Sequence, residues 1–351
     1  MENASQRDQT IGLLLSRQTG EIILQTAIMN LLRQRFPHAR LVAAIHDQAA
    51  LALENNPTLD QVLPFSRERG GASVLARVKQ NWDYLSLIKK VALDVVIDFH
   101  GGDRSAIQAW CSQAPMRISF APLSSWAPWK RRVYTHFVDR PADNVSLVAR
   151  YLRLLEPLGI KATQVPAPTL RLSKAELRHA RSWHEKLGGE YAVLQLTSPR
   201  SSFHGLEEAQ AAALLDWIQT QLGLKACVIC GGPEREMQSA RKIIDLCRRK
   251  PSAEYLAFNL REQAALMTGS KLFVGRESAV AYLAAAAGIG AVVLAERTGL
   301  ADAGAWMNRC IWMSGAQPQT AGAERASSPL DLAIIKEGCQ KALQDCDSGM
   351  A

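Results

Sequence analysis

Between Lys271 and Gly290 the chain reads KLFVGRESAVAYLAAAAGIG, and few architectures accommodate that order of residues. Leu272–Gly275 is a short apolar run of strand type. Arg276, Glu277 and Ser278 form a polar break, and Ala279–Ala287 is an almost uninterrupted run of small helix formers that Gly288 ends. A strand, a sharp loop and a buried helix in this order are the repeating unit of a parallel α/β sheet. The loop of such a unit lies at the carboxyl end of its strand, where the free N–H groups of the following helix favour an anion. The alanines are read as packing, since they let the helix backbone approach its neighbours closely. Glu277 and Ser278 are read differently, because a carboxylate and a hydroxyl at a strand end are placed to touch a ligand.

The same unit recurs along the chain. Ile11–Ser16 is a buried strand, Arg17, Gln18, Thr19, Gly20 and Glu21 follow it, and Ile22–Phe36 has helical spacing until Pro37 stops it. Gly20 then stands at a tight turn and Glu21 at a helix N-terminus, either as a dipole partner or as a catalytic carboxylate. Val74–Lys90 is amphipathic, and Leu93–Phe99 is the clearest buried strand of the first half. It runs into a polar loop, His100 to Ser105, suited to a substrate hydroxyl or phosphate or simply to capping the next helix. Met116–Phe120 is a further strand. Trp126, Trp129, Lys130, Arg131 and Arg132 then interleave aromatics with positive charge, which suits a sugar beside phosphates, an anionic bilayer, or a solvated loop with its tryptophans turned inward.

The prolines of VPAPTLRL mark a boundary, after which the alternation restarts: a helix at Lys174–Leu187, strands at Tyr191–Leu196 and Ala226–Cys230, and a last strand at Ala291–Ala295. Gly304–Gly315 reads as loop-rich, and Leu330–Leu343 as a terminal helix long enough to cross back onto the first half. With 351 residues, the chain divides into an N-terminal domain, 1–165, a C-terminal domain, 166–328, and a crossing helix with its tail, 329–351. No run approaches a membrane span, and the polar N-terminus is unlike a secretory signal, so a cytoplasmic location is expected. Seven scattered cysteines argue against a disulfide framework, and Cys227 and Cys230, inside an apolar run, read as buried structural thiols. A net charge of +8 favours anionic partners without choosing among them. No recognised nucleic-acid motif accompanies the charge, so no nucleic acid is expected. Dinucleotide, P-loop, zinc-protease and serine-hydrolase fingerprints are all missing.

Taken together, Arg17-Gln18-Thr19-Gly20-Glu21 before a helix, Leu93–Ser105, LLEPLGI at Leu154–Ile160, Gly231-Gly232-Pro233 and FVGRESAVAYLAAAAG at Phe273–Gly288 resemble glycosyltransferase family 9. These are the ADP-heptose:lipopolysaccharide heptosyltransferases, and the resemblance is strongest to their heptosyltransferase III branch. It implies an α/β chain of GT-B type, with two Rossmann-like domains facing a nucleotide-sugar cleft and a C-terminal helix crossing back. It also implies inverting, metal-independent transfer of heptose or a related sugar from an ADP-sugar to the lipopolysaccharide core. No cofactor is implied beyond that donor, and peripheral contact with the inner face of the bacterial inner membrane is.

Residue by residue, the family's first-loop aspartate, its general base, falls on Glu21. A diphosphate-contacting lysine falls on His204 and a nearby tryptophan on Leu206. The aspartate and histidine of the motif D-S-A-P-A-H fall on Glu277 and Tyr282. The implied donor-binding residues are Arg17, Gly20, Ser202, His204, Gly232, Glu277, Ser278, Ala279 and Tyr282, and the acceptor side is Arg104, Trp129, Lys130 and Arg131. Both Glu-for-Asp changes keep a carboxylate, His204 keeps a donor, and Tyr282 keeps a ring and a donor but no cation. An alternative reading of the same changes is a catalytically degenerate relative that binds a nucleotide or glycolipid as a partner protein.

Overall fold

The computed structural model describes residues 9–15, 18–66, 73–121, 128–141, 147–162, 165–197, 206–230, 234–295, 310–314 and 331–348. The chain divides into two compact units, Met1–Arg171 and Leu172–Ala351.

The first unit contains β1 (Thr10–Leu14), α1 (Thr19–Arg35), β2 (Arg40–His46), α2 (Asp47–Ala50), β3 (Gln61–Phe65), α3 (Val74–Lys90) and β4 (Val95–Asp98). It continues through α4 (Asp103–Ser112), β5 (Met116–Phe120), α5 (Lys130–Val133), β6 (His136–Val138) and α6 (Leu147–Arg153). The strands form one parallel sheet ordered β3-β2-β1-β4-β5-β6. Layers on both faces explain why β1, β2 and β4 are continuous apolar runs rather than alternating ones. Ile11, Leu13, Leu41, Ala43, Val96 and Ile97 are fully buried. Most of α1 from Ile22 to Leu32 is buried as well, whereas α3 buries only Tyr84 and Ile88.

The second unit repeats the wiring. It comprises α7 (Lys174–Leu187), β7 (Tyr191–Gln195), α8 (Glu208–Gln221), β8 (Lys225–Ile229), α9 (Glu234–Leu246), β9 (Ala253–Tyr255) and α10 (Leu260–Met267). After these come β10 (Leu272–Arg276), α11 (Ala279–Ala287), β11 (Gly290–Ala295), β12 (Cys310–Ser314) and α12 (Leu332–Ser348). Its parallel sheet is ordered β12-β11-β10-β7-β8-β9. In both sheets the first and fourth strands lie side by side, β1 with β4 and β7 with β10. That is the position where the strand order reverses and a doubly wound sheet opens a crevice for ligands. Helix α12 belongs to the second unit, where Ile335, Cys339 and Ala342 join Val292, Leu294 and Met313 in the core.

Several boundaries differ from the sequence reading. Helix α1 begins at Thr19, which puts Gly20 and Glu21 inside its first turn rather than in a turn before it. Helix α4 is capped by Gly102, with Asp103 as its first residue; the Ser105 hydroxyl donates to the Gly102 carbonyl at 3.0 Å. The segment Cys310–Ser314, expected to be loop, is the edge strand β12, so β11 is not the last strand. Strands β6 and β9 have only three residues each, too few to carry an alternating signal. Cys227 and Cys230 are fully buried and take part in no disulfide among the described residues, and burial pushes the Cys227 thiol up to about 12. Among the described residues no helix is long and apolar enough to cross a membrane.

Candidate functional site

In the first unit the chemistry gathers where β1 and β4 end. Leu14 pairs with Asp98, and the Phe99 amide donates to the Leu14 carbonyl at 3.0 Å. Asp98 is fully buried, and three donors satisfy it. The amides of His100 and Gly101 donate to Oδ1 at 2.8 and 2.9 Å, and the buried Tyr134 hydroxyl donates to Oδ2. Burial, with the Asp98 carboxylate beside it, holds the Tyr134 phenol protonated far above its ordinary range. The pair therefore braces the His100–Gly102 loop.

Lys130, from α5, closes the same loop by donating to the Gly101 carbonyl at 3.1 Å and pairing with Asp103 at 2.8 Å. Its ammonium also lies 5.9 Å from the centre of the half-exposed Trp129 ring, while Arg131 points to solvent. The Arg104 guanidinium carbon lies over Phe65, 4.0 Å from the ring centre, and Arg104 donates to Asn81 Oδ1 at 3.3 Å. Beside it a small cavity of about 40 Å³ is lined by Leu15, His46, Tyr84, His100 and Gln108 among others.

Glu21 stands in the first turn of α1, half-buried, where the helix N-terminus favours a negative charge. Its Oε2 accepts a hydrogen bond from the Tyr151 hydroxyl of α6 at 3.3 Å. The Tyr151 ring meets Phe99 edge to face at 5.3 Å, so one side chain ties Glu21 to the end of β4. Burial first, and the Glu21 charge second, hold the Tyr151 phenol well above its usual range, which makes it a donor to Glu21 and never a competing base. Gln25, one turn on, is fully buried, and its amide has no hydrogen-bond partner among the described residues.

In the second unit the polar groups converge where β7 and β10 end. Gly275 pairs with Gln195, and a Cβ at Gly275 would fall 3.0 Å from the Gln195 carbonyl oxygen, so only glycine fits this approach of two strands. The Ser278 hydroxyl donates to Gln195 Oε1 at 2.7 Å instead of capping α11, which leaves the first N–H groups of that helix without a side-chain cap. Ala279, the first residue of α11, presents only a methyl group there. Glu277 is exposed, and its Oε1 accepts from the buried Tyr282 hydroxyl at 3.0 Å. At the far end of α11 Gly288 takes φ +69°, a left-handed cap that side chains resist.

Glu236, on the first turn of α9, is the group the sequence did not single out. It is only 4% exposed, and it accepts from the Thr197 hydroxyl at 3.3 Å at the end of β7. Burial raises its carboxyl above the ordinary glutamate range, against the opposing pull of Thr197, Cys230 and Arg276. Arg17, Ser202, His204, Gly232 and Trp126 lie outside the described residues. Among the described residues no group of three or more His, Cys, Asp or Glu side chains is arranged to hold a metal ion.

Two six-stranded parallel sheets of the same wiring among the described residues, each with polar groups at its reversal point, define an α/β protein of two doubly wound units. The chain matches the family described as Glycosyltransferase family 9 (heptosyltransferase) over residues 85–329, more than half its length. It belongs to that family and is a glycosyltransferase. It is similar to lipopolysaccharide heptosyltransferase 3 of Escherichia coli K12, 26% identical over 275 residues covering 77% of each chain. Among solved structures, a family 9 glycosyltransferase from Veillonella parvula superposes with a TM-score of 0.83 at 17% identity, covering 98% of this chain and all of that one. The E. coli heptosyltransferase WaaC with ADP superposes at 0.72 and 16% identity, covering 95% and 100%. The fold is therefore that of the GT-B heptosyltransferase structures.

Proposed function

We propose that this protein transfers heptose, or a closely related sugar, from an ADP-sugar to the lipopolysaccharide core, with inversion at the anomeric carbon and without a metal. The observation that carries the reading is the position of Glu21, a half-buried carboxylate in the first turn of α1 at the carboxyl end of the first sheet, held by a single phenol. Kinship with lipopolysaccharide heptosyltransferase 3 and with an ADP-bound heptosyltransferase supports the choice of donor and acceptor.

In this mechanism Glu21 takes the proton from the acceptor hydroxyl as its oxygen attacks the anomeric carbon from the face opposite the diphosphate. The new C–O bond forms while the bond to the diphosphate oxygen breaks, and ADP departs with the electron pair. Negative charge on the leaving group is met by the N–H groups of α11, which Ser278 leaves uncapped by turning its hydroxyl to Gln195, with Arg17, Gly20, Ser202, His204 and Gly232 as further donor contacts. Tyr282 holds Glu277 in place, and both face the donor. Glu236 accepts from a ribose hydroxyl, as an acidic side chain at a strand end does in related sheets. Arg104, Trp129, Lys130 and Arg131 meet the phosphorylated acceptor. Because that acceptor is lipid-borne, the protein works at the cytoplasmic face of the inner membrane.

The test is ADP release by purified protein given ADP-heptose, with and without a truncated, heptose-bearing lipopolysaccharide. Release that requires the acceptor, survives a chelator and yields a product of inverted configuration supports every part of the reading. A melting temperature raised by ADP-heptose without any release would instead support a binding protein.

A further inference from the structure

The outer face of α3 reverses the usual pattern of a surface helix. Tyr84 and Ile88 point inward, yet Val74, Val78 and Trp82, spaced four residues apart and hence on one stripe, are 75%, 60% and 70% exposed, and Leu75 beside them is 81% exposed. Alongside, α4 presents Ile107 and Trp110, the latter 57% exposed. Between the two helices runs a groove of about 630 Å³ in which Trp82 and Trp110 stand with Leu85, Lys89 and Lys90. Apolar groups this exposed and contiguous mark a contact surface.

Charge selects the partner. Helix α3 carries Arg77, Lys79, Lys89 and Lys90 against one carboxylate, Asp83, within a chain of net charge +8. Tryptophans beside lysines at the edge of an apolar stripe are the composition that sits in a bilayer interface. The indoles lie at headgroup depth, and the lysine stems lie along the apolar surface with their ammonium groups on anionic headgroups. We infer that the α3–α4 face docks this protein onto an anionic phospholipid surface, with Trp82 and Trp110 as anchors and Lys79, Lys89 and Lys90 as the electrostatic contacts. The inference rests on the membrane-face reading proposed above and names the surface that makes the contact; vesicle binding tests that surface without donor or acceptor.

The experiment uses the full chain with vesicles of phosphatidylethanolamine and phosphatidylglycerol, and with vesicles of phosphatidylcholine alone, in low and high salt. Binding is read by co-sedimentation and by quenching of tryptophan fluorescence with brominated lipid. The wild-type protein is expected to bind the anionic vesicles in low salt and to leave them in high salt. Replacing two lysines, Lys89→Gln with Lys90→Gln, should lower the partition coefficient about 30-fold. Trp82→Ala with Trp110→Ala should abolish most of the lipid quenching while leaving the melting temperature unchanged, since both rings are exposed. Equal binding to both vesicle types, or variants that bind as the wild type does, would overturn the inference. A wild-type dimer that the tryptophan variant converts to monomer, without vesicle binding, would assign the face to a second copy of the chain and overturn it as well.

Discussion

The ion pair between Glu176 and Arg261 offers the sharpest quantitative prediction. Glu176 is at the third position of α7, where it completes a capping box by accepting from the Ser173 amide at 2.7 Å. Its carboxylate also receives two bonds from the Arg261 guanidinium of α10, the Nη2 bond at 2.7 Å. The Arg261 hydrogen bond, opposed by burial and helped by Ser173, lowers the Glu176 carboxyl from 4.5 to about 2.

A shift of that size corresponds to about 3 kcal/mol of stability. The side chains are 25% and 4% exposed, so solvent screens the pair only partly. Because the folded-state value is depressed, the contribution is complete above about pH 4.5 and is lost as the pH falls toward about 2. Glu176→Gln keeps an acceptor for the cap but takes the carboxylate from a buried guanidinium, so a loss of about 3 to 5 kcal/mol is expected at neutral pH. Adding Arg261→Met should recover much of it, since a buried pair is replaced by apolar volume. The assay is urea unfolding at several pH values, followed by pulsed hydrogen exchange in peptides spanning 174–187. Wild type and Glu176→Gln should converge as the pH is lowered through that window. A variant as stable as wild type at neutral pH, or a gap that stays constant with pH, would refute the argument.

Other expectations follow from the two switch points. Asp98→Ala strips an acceptor from three buried or half-buried donors and should cost about 3 kcal/mol or more in urea unfolding, with Asp98→Asn milder because one oxygen remains. Gly275→Ala places a methyl 2.5 Å from Phe273 Cζ and 3.0 Å from the Gln195 carbonyl; it should cost about 1 to 3 kcal/mol and weaken ADP binding in calorimetry by moving the partner of Ser278. Glu236→Gln relieves a carboxylate whose burial disfavours its charge. It should therefore raise the melting temperature at neutral pH, lose that advantage as the pH falls toward the carboxylate range, and bind ADP more weakly.

Much of this arrangement is legible in the chain itself. A parallel sheet covered on both faces writes its inner strands as unbroken apolar runs, so IGLLL, LDVVIDF and LFVG declare themselves, and the helix after each is separated by a polar break. Edge strands carry less of that signal. Three residues at His136–Val138 or Ala253–Tyr255 are too short for a period, and Cys310–Ser314 lies among polar and small residues that read as loop. The partners inside the sites are hidden for another reason. Tyr151 and Glu21 are 130 positions apart, Tyr134 and Asp98 are 36 apart, and Thr197 and Glu236 are 39 apart, so only the closed sheets bring them together. Glu236 in particular reads as one more charge on a highly charged helix, and only its burial sets it apart.

The most direct test of the central claim is the turnover of Glu21→Gln with ADP-heptose and a heptose-bearing lipopolysaccharide acceptor, measured as ADP release beside the wild-type protein. The substitution keeps the volume of the side chain and removes its capacity to take a proton. A fall in turnover of about 10²- to 10⁴-fold, with an unchanged thermal shift on adding ADP-heptose, is the predicted result. Wild-type turnover in Glu21→Gln would contradict the assignment of the base and, with it, the role given to the first turn of α1.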